Sequence, residues 1–454
     1  MQHGLIAMER LGLSTDLYEL TMAAAFHDAG IADRYATFDL AIRDLPPERG
    51  FLVAAGLEQA LAYLRDFRFW PQALDYLERT GHFRQQFLDY LGALRFTGSV
   101  DAIPEGHVYF PPGPLLRIRA PIIEAQIIET YLLTTITYQT LIASKAARVV
   151  LAAGNSTVVD FSPRRDHGPQ AGLLCARAAF IGGCVGTSNV LANDMFGIPM
   201  FGTMAHSFVM FYRDELEAFR AFSRSYPGDP TLLIDTYDTV EGARKALQLM
   251  PELAERGHRL AAVRLDSGDM LELSKQVREV LDAGGAEDTQ IFASGNLDEH
   301  KIRRLLQGGA PIDGFGVGTE LGTSGDAPSL NSTYKLVTCA DAQGAEVPVI
   351  KLATSKVTLP GSKQIWRRRD ASSCMTGDTI GLVGEELEGN PLLVPVMRDG
   401  KPLAPAPELS AIREHARAEI AALPTGVAEL DDHATYPVQV SPRLQALVQE
   451  LHRR

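Results

Sequence analysis

Six short apolar runs, most followed by a helical pattern, constrain this chain more than any other feature. They are Thr157 to Phe161, Met200 to Thr203, Leu232 to Asp235, Ala261 to Asp266, Ile291 to Ser294 and Gly314 to Gly318. They recur at intervals of roughly 25–40 residues, the rhythm of βα units. No internal sequence repeat accompanies the rhythm, so it describes a fold and not a solenoid. Polar residues gather where the runs end: Arg164 and Arg165, Thr203 and His206, Asp235, Arg264 and Asp266, Ser294, then Thr319. In a (β/α) barrel such ends meet at one mouth. A doubly wound open sheet is the competing arrangement, but it calls for a Gly-rich dinucleotide fingerprint that the chain lacks.

Elsewhere the pattern is of mixed α+β type. Ser14, Thr15 or Asp16 can cap a helix running to Phe26. Ala36 to Ile42 alternates like a strand, Gly56 to Phe67 has helical spacing, and Gly98 to Arg119 reads as short strands and turns. Ile122 to Val150 is strongly apolar but interrupted by Glu124, Gln126, Glu129 and Lys145, which makes it a core helix and not a membrane span. Beyond Gly325, Tyr334 to Thr338 and Val347 to Leu352 read as strands, Lys356 to Arg369 is basic, and Ser441 to Arg454 forms a terminal amphipathic helix.

With 454 residues there is room for two or three domains. A net charge of -13 argues against nucleic acid as a partner, so any anionic ligand needs a local basic pocket. The four cysteines are scattered without metal-type spacing and fit a reducing compartment, and the first ten residues lack a signal-peptide core. A cytoplasmic location is the expectation.

The stretch from Met200 to Met210 reads as a strand ending at Gly202, a polar tip with Thr203 and His206, then a helix. His206 is either a nucleophile or base, or a satisfied half-buried histidine. Asp235 is either its orienter or a helix cap shared with Thr236. Arg264 and Asp266 alternate and so point to one side of their strand; Ser267 or Asp266 can cap the helix near Met270. Arg264, a charge inside an apolar strand, wants a carboxylate or phosphate partner. Arg164 and Arg165, before a helix opened by Pro169, suit phosphate oxygens, or else form a solvated turn. Phe161 is core unless its strand end exposes it to a planar ligand. Ser294-Gly295 and Gly318-Thr319 suit a phosphate site on late barrel strands.

Four segments together resemble the nicotinate phosphoribosyltransferase family: Thr15 to Met22, Gly202 to Ser207, Val263 to Asp269 and Leu359 to Lys363. The resemblance runs from about residue 13 to about residue 370 in the expected order. It implies an α/β architecture: an N-terminal α+β domain (1–125), an incomplete TIM-like (β/α) barrel (126–330), a return segment packing on the first domain (331–370), and a C-terminal extension (371–454). It further implies a type II phosphoribosyltransferase joining nicotinate to 5-phosphoribosyl-1-pyrophosphate, coupled to ATP hydrolysis through a phosphohistidine, with Mg²⁺ as a cofactor. The family works as a homodimer with shared active sites.

By resemblance, His206 is the phosphorylated histidine and Thr203 a neighbour contacting nicotinate. Tyr18 stacks on the pyridine ring from the partner subunit, with Phe161 on the other face. Arg264 holds the nicotinate carboxylate, Arg164 and Arg165 face the phosphoribosyl group, and Ser294, Gly295, Gly318 and Thr319 bind its phosphate. Asp235 and Asp266 fall where nicotinamide-using relatives keep aspartates. Ser188 stands where those relatives carry an aspartate that would repel a carboxylate, which favours the acid. Ser162 departs from the glycine many members carry after the phenylalanine. Nicotinamide or quinolinate phosphoribosyl transfer, and a non-catalytic ligand-sensing barrel, are the alternatives.

Overall fold

A computed structural model of the protein describes residues 7–226, 228–351 and 358–453. The expected strand end at Leu352 and the basic residue Lys356 lie outside the described residues, as does Arg454. Two compact units are present, one formed by residues 1–144 and 327–454, the other by 145–326. The division falls within the helix Glu129–Ala153, whereas the sequence reading placed the first boundary near residue 125.

The first unit is built on a seven-stranded sheet in the order Glu346–Pro348, Ser332–Ala340, Tyr35–Ile42, Pro114–Pro121, Ser99–Ala102, Val394–Arg398, Lys401–Pro402. Its pairings are antiparallel. Alternation sends Phe38, Leu40 and Ile42 into the core together with Leu116, Ile118 and Ala120. Phe38 stacks on Tyr334 at 4.8 Å across the sheet. Helices Leu17–Asp28, Leu57–Asp66, Pro71–Thr80 and Gln85–Ala93 contribute the buried residues Leu20, Ala60, Leu64, Leu77 and Leu88 to the same core.

Asp16 is the first helix's N-cap residue, but its carboxylate accepts from Thr130 Oγ1 at 2.8 Å instead of capping. The C-terminal residues make a further four-stranded sheet around Lys363–Arg369 and Met375–Leu382, with helices Leu409–Ala421 and Pro442–His452. They are part of this unit and not a separate body. The fully buried Arg367 is satisfied there by Asp378, Glu419 and the Val108 carbonyl.

The second unit carries a six-stranded parallel sheet. Its order is Gly186–Thr187, Thr157–Asp160, Gly314–Val317, Gln290–Ser294, Ala262–Leu265, Thr231–Leu233. Five of the six expected runs are strands here, each fully or largely apolar because helices cover it. The sixth, at Met200, makes only a parallel bridge to Thr187. The order is therefore cyclic: adding Met200 beyond Gly186–Thr187 leaves a ring of seven positions, open between Met200 and Thr231. No strand pairing among the described residues closes that seam. This is the incomplete barrel that the resemblance implies. Gly186–Thr187 was passed over in the sequence, since two residues show no alternation.

Two of the expected caps and one expected helix need correction. Helix Met270–Ala283 is capped by Asp269, which accepts from Leu271 N and Glu272 N, and not by Asp266 or Ser267. Helix Thr239–Ala254 is capped by Asp238, so neither Asp235 nor Thr236 serves there. The expected core helix of 122–150 is broken into Ile122–Ile127 and Glu129–Ala153. In the barrel unit Lys145 and Arg148 both hold the buried Glu299, at 2.5 and 3.1 Å.

Candidate active site

Arg264 is the hub of the barrel mouth. Its Nε donates to Ser294 Oγ at 2.7 Å, one terminal nitrogen to Thr203 Oγ1 at 2.9 Å, and the other to Asp266 Oδ1 at 2.6 Å. The Ser294 hydroxyl in turn donates to Asp266 Oδ1 at 2.5 Å. Three of five guanidinium N–H groups are thus used by the described residues, leaving one on each terminal nitrogen. Two such donors suit a planar carboxylate taken bidentately. The strand alternation that makes Arg264 and Asp266 neighbours also aims them at the mouth.

Burial alone would raise the Asp266 carboxyl. The Ser294 hydroxyl, the Arg264 guanidinium and nearby His206 outweigh it and hold the group below the usual carboxylate range. His206 opens the helix His206–Tyr212. Its Nδ1 meets Thr236 Oγ1 at 3.2 Å, and its Nε2 lies 3.8 Å from Asp266 Oδ2.

Asp235 does not contact His206 as expected. Its Oδ2 accepts from Asp266 N at 2.9 Å and Ser267 Oγ at 2.7 Å, so it fixes the turn after the neighbouring strand, while Thr236 meets the imidazole. The buried Oδ1 of Asp235 has no partner among the described residues.

Phe161 lies under this cluster, its ring centre 5.5 Å from the Arg264 guanidinium carbon and 5.8 Å from Phe292. It can lie there because residue 316 is glycine: a Cβ would stand 2.4 Å from the Phe161 ring. Gly295, at φ +97°, passes Asp266 so closely that a Cβ would sit 2.0 Å from its carbonyl oxygen. Gly318 and Thr319 follow the strand Gly314–Val317 and begin the short helix Thr319–Gly322.

Arg164 and Arg165 stand exposed on the loop after Thr157–Asp160, with no partner among the described residues, free to meet an anion. Ser188 is exposed just after Gly186–Thr187, its N–H donating to the Asp160 carbonyl at 2.9 Å. Of the expected site residues, only Tyr18 belongs to the other unit, on helix Leu17–Asp28, with 49% of its surface exposed.

Sequence reasoning missed three positioning residues. Asp160 is fully buried; burial pushes its carboxyl up while it binds Ser162 N at 2.9 Å and Thr187 Oγ1 at 2.8 Å, tying two strand ends together. Thr236 was weighed only as a cap. Asp166 accepts from Ser162 Oγ at 3.0 Å and braces the arginine loop. An acid closing the apolar run Thr157-Val158-Val159-Asp160 was the available signal for the first.

Three family descriptions match the chain: the nicotinate phosphoribosyltransferase N-terminal domain over residues 13–137, the nicotinate phosphoribosyltransferase family over 156–353, and its C-terminal domain over 384–448. A nicotinate phosphoribosyltransferase of Mycobacterium tuberculosis is 48% identical over 434 residues, covering 95% of this chain and 92% of the relative. The chain belongs to the nicotinate phosphoribosyltransferase family. Another such enzyme, from Bacillus subtilis, is 43% identical over 84% of this chain and 78% of its own length. The crystal structure of the human nicotinic acid phosphoribosyltransferase superposes with a TM-score of 0.85 at 30% identity, covering 96% of this chain and 99% of that one. A nicotinate-nucleotide pyrophosphorylase from Pyrococcus furiosus, at 24% identity and a TM-score of 0.74, shares the fold. No helix among the described residues is long and apolar enough to cross a membrane.

Proposed function

We propose that the chain transfers the phosphoribosyl group of 5-phosphoribosyl-1-pyrophosphate to nicotinate, giving nicotinate mononucleotide and pyrophosphate in NAD salvage. The observation that carries this reading is Arg264, held on three sides with two donors left over. Those donors take the nicotinate carboxylate, and the ring lies against Phe161. The pyridine nitrogen then forms its bond to the anomeric carbon as the carbon–oxygen bond to pyrophosphate breaks. Arg164 and Arg165 stabilise the charge growing on the leaving group, while the turns at Ser294-Gly295 and Gly318-Thr319 hold the 5-phosphate by backbone N–H groups.

ATP enters the reading through His206. With Nδ1 held by Thr236, Nε2 is the nitrogen that attacks the γ-phosphorus; the bond to ADP breaks and a phosphohistidine forms. Later hydrolysis returns the imidazole and releases phosphate. Negative charge arriving beside Asp266 strains its pairing with Arg264, which biases the mouth toward a state that binds the donor better.

No group of three or more His, Cys, Asp or Glu side chains among the described residues could hold a metal. Mg²⁺ carried by phosphates needs only one or two protein carboxylates. Asp235, with its unpartnered Oδ1, and Asp266 fit that need, and the ion would supply charge neutralisation to the pyrophosphate. A cytoplasmic setting agrees with four free cysteines.

Assay of nicotinate, nicotinamide and quinolinate with the purified protein tests the reading. Turnover of nicotinamide above nicotinate would overturn it, as would absence of any nucleotide product. Ser188→Asp places a negative charge where an acid substrate enters. KM for nicotinate is expected to rise about tenfold or more while nicotinamide turnover improves; an unchanged ratio removes Ser188 from substrate choice.

A homodimer completes the site, with Tyr18 of the partner subunit covering the pyridine ring. Exposed apolar side chains support it. In the barrel unit Val190, Leu191, Met195, Met200, Met210 and Phe211 concentrate within 190–211, Phe211 being 85% exposed. In the other unit Leu17 is exposed beside Tyr18. Phe211→Asp is expected to yield monomers in sedimentation with loss of most nicotinate turnover. A fully active monomer would exclude shared sites.

A further inference from the structure

Beneath Tyr18 two carboxyl groups converge on one amide. Gln126 Nε2 donates to Glu19 Oε2 at 2.7 Å and to Glu129 Oε2 at 3.2 Å. Glu19 is fully buried, and its Oε1 has no partner among the described residues. The Tyr18 hydroxyl lies beside both carboxyl groups, while the residue as a whole stays half exposed.

We propose that Glu19 and Glu129 are positioning residues that share one proton and so set the charge behind the Tyr18 ring, making capture of an anionic pyridine proton-linked. This rests on the proposed function, in which that ring covers nicotinate.

The argument is electrostatic. One neutral amide cannot offset two carboxylates that share it, one fully buried and one partly buried, so the pair resists double ionisation near neutrality. Burial first, then Glu129 and Asp16, push Glu19 up to about 7, against the opposing hydrogen bonds of Gln126 and Tyr18. Burial also raises Glu129, although Lys335 opposes it. Tyr334, beside Lys335 on its strand, also faces both carboxyl groups and in turn lies near Asp39 on Tyr35–Ile42 and Tyr63 on Leu57–Asp66. On the remaining elements packed against the first helix, Tyr90 is turned to His27 and Glu124 to Thr97. The only cation in this set is Lys335. With the proton present the pair carries one negative charge; without it, two, and a carboxylate-bearing ring is repelled.

The sign for stability follows from the same shift. Glu19 ionises less readily in the fold than in the unfolded chain, so stability falls as pH rises from the ordinary value of 4.5 toward about 7, and is level above that.

The test is KM for nicotinate at saturating phosphoribosyl donor, measured between about pH 6 and about pH 8.5 in the full enzyme. In the unaltered protein KM is expected to rise about fivefold through a midpoint near neutrality, with kcat following a separate profile. In Glu19→Gln, or in Glu129→Gln should the first fold poorly, that rise should shrink below about twofold. The melting temperature of Glu19→Gln relative to the unaltered protein should also improve from pH 5 to pH 8. A rise of the same size in both variants overturns the pair. Tyr18→Ala separates the two levels of inference: if it leaves KM unaltered at every pH, the placement of Tyr18 over the ring fails, whatever the carboxyl groups do.

Discussion

His206→Ala is expected to abolish ATP hydrolysis and the acid-labile phosphate found by mass spectrometry after ATP treatment, while slow, uncoupled nucleotide formation persists. The imidazole is the proposed phosphoryl acceptor, with Nδ1 held at 3.2 Å by Thr236 and Nε2 beside Asp266. Removing it deletes a covalent step, and no neighbouring hydroxyl replaces an imidazole in that step. The proposed transfer uses Arg264, the arginine loop and the turns at Ser294-Gly295 and Gly318-Thr319, all of which remain. Unchanged ATP hydrolysis in this variant would remove His206 as the acceptor. Thr236 is a separate matter, since its loss should leave the acceptor present but poorly aimed.

Arg264→Ala is expected to raise KM for nicotinate by about two orders of magnitude, because a broken buried charge pair costs about 2–5 kcal/mol. The loss is large for a structural reason. The same side chain serves Thr203, Ser294 and Asp266, so truncation leaves three polar groups without their partner as well as an unmet ligand carboxylate. Arg264→Lys should recover little, since an ammonium cannot span those three directions and still offer two parallel donors. Saturation with nicotinate at the original concentration would refute the assignment.

The barrel was legible in the sequence because each unit announces itself locally, by an apolar run with polar residues at its end. Arg264 could be singled out for the same reason: a charge within an apolar strand has to be explained by a partner. What the sequence withheld was side-chain direction across neighbouring strands. Asp235 follows one strand and Asp266 the next, and these strands are adjacent; a carboxylate there reaches a backbone N–H next door more readily than an imidazole on a helix. The C-terminal residues were equally opaque. Strand Ser332–Ala340 pairs with Tyr35–Ile42 nearly three hundred residues earlier, as at Phe38 and Leu336, and no local pattern encodes such a partner. Glu19 was hidden by its place at the start of an apolar, alanine-rich helix, where a lone acid shows no local sign of a partner.

The opening between Met200 and Thr231 has a bearing on turnover. Among the described residues two side-chain bonds lace it: Arg264 to Thr203, and His206 to Thr236. Each lace ends on a side chain that the proposed reaction also uses, the guanidinium for the acid and the imidazole for phosphate. In the proposed reaction the acid takes the two donors that Arg264 keeps spare and the phosphate takes Nε2, so both laces stay tied while reactants are seated, and the open edge is fastened by the very side chains that do the binding.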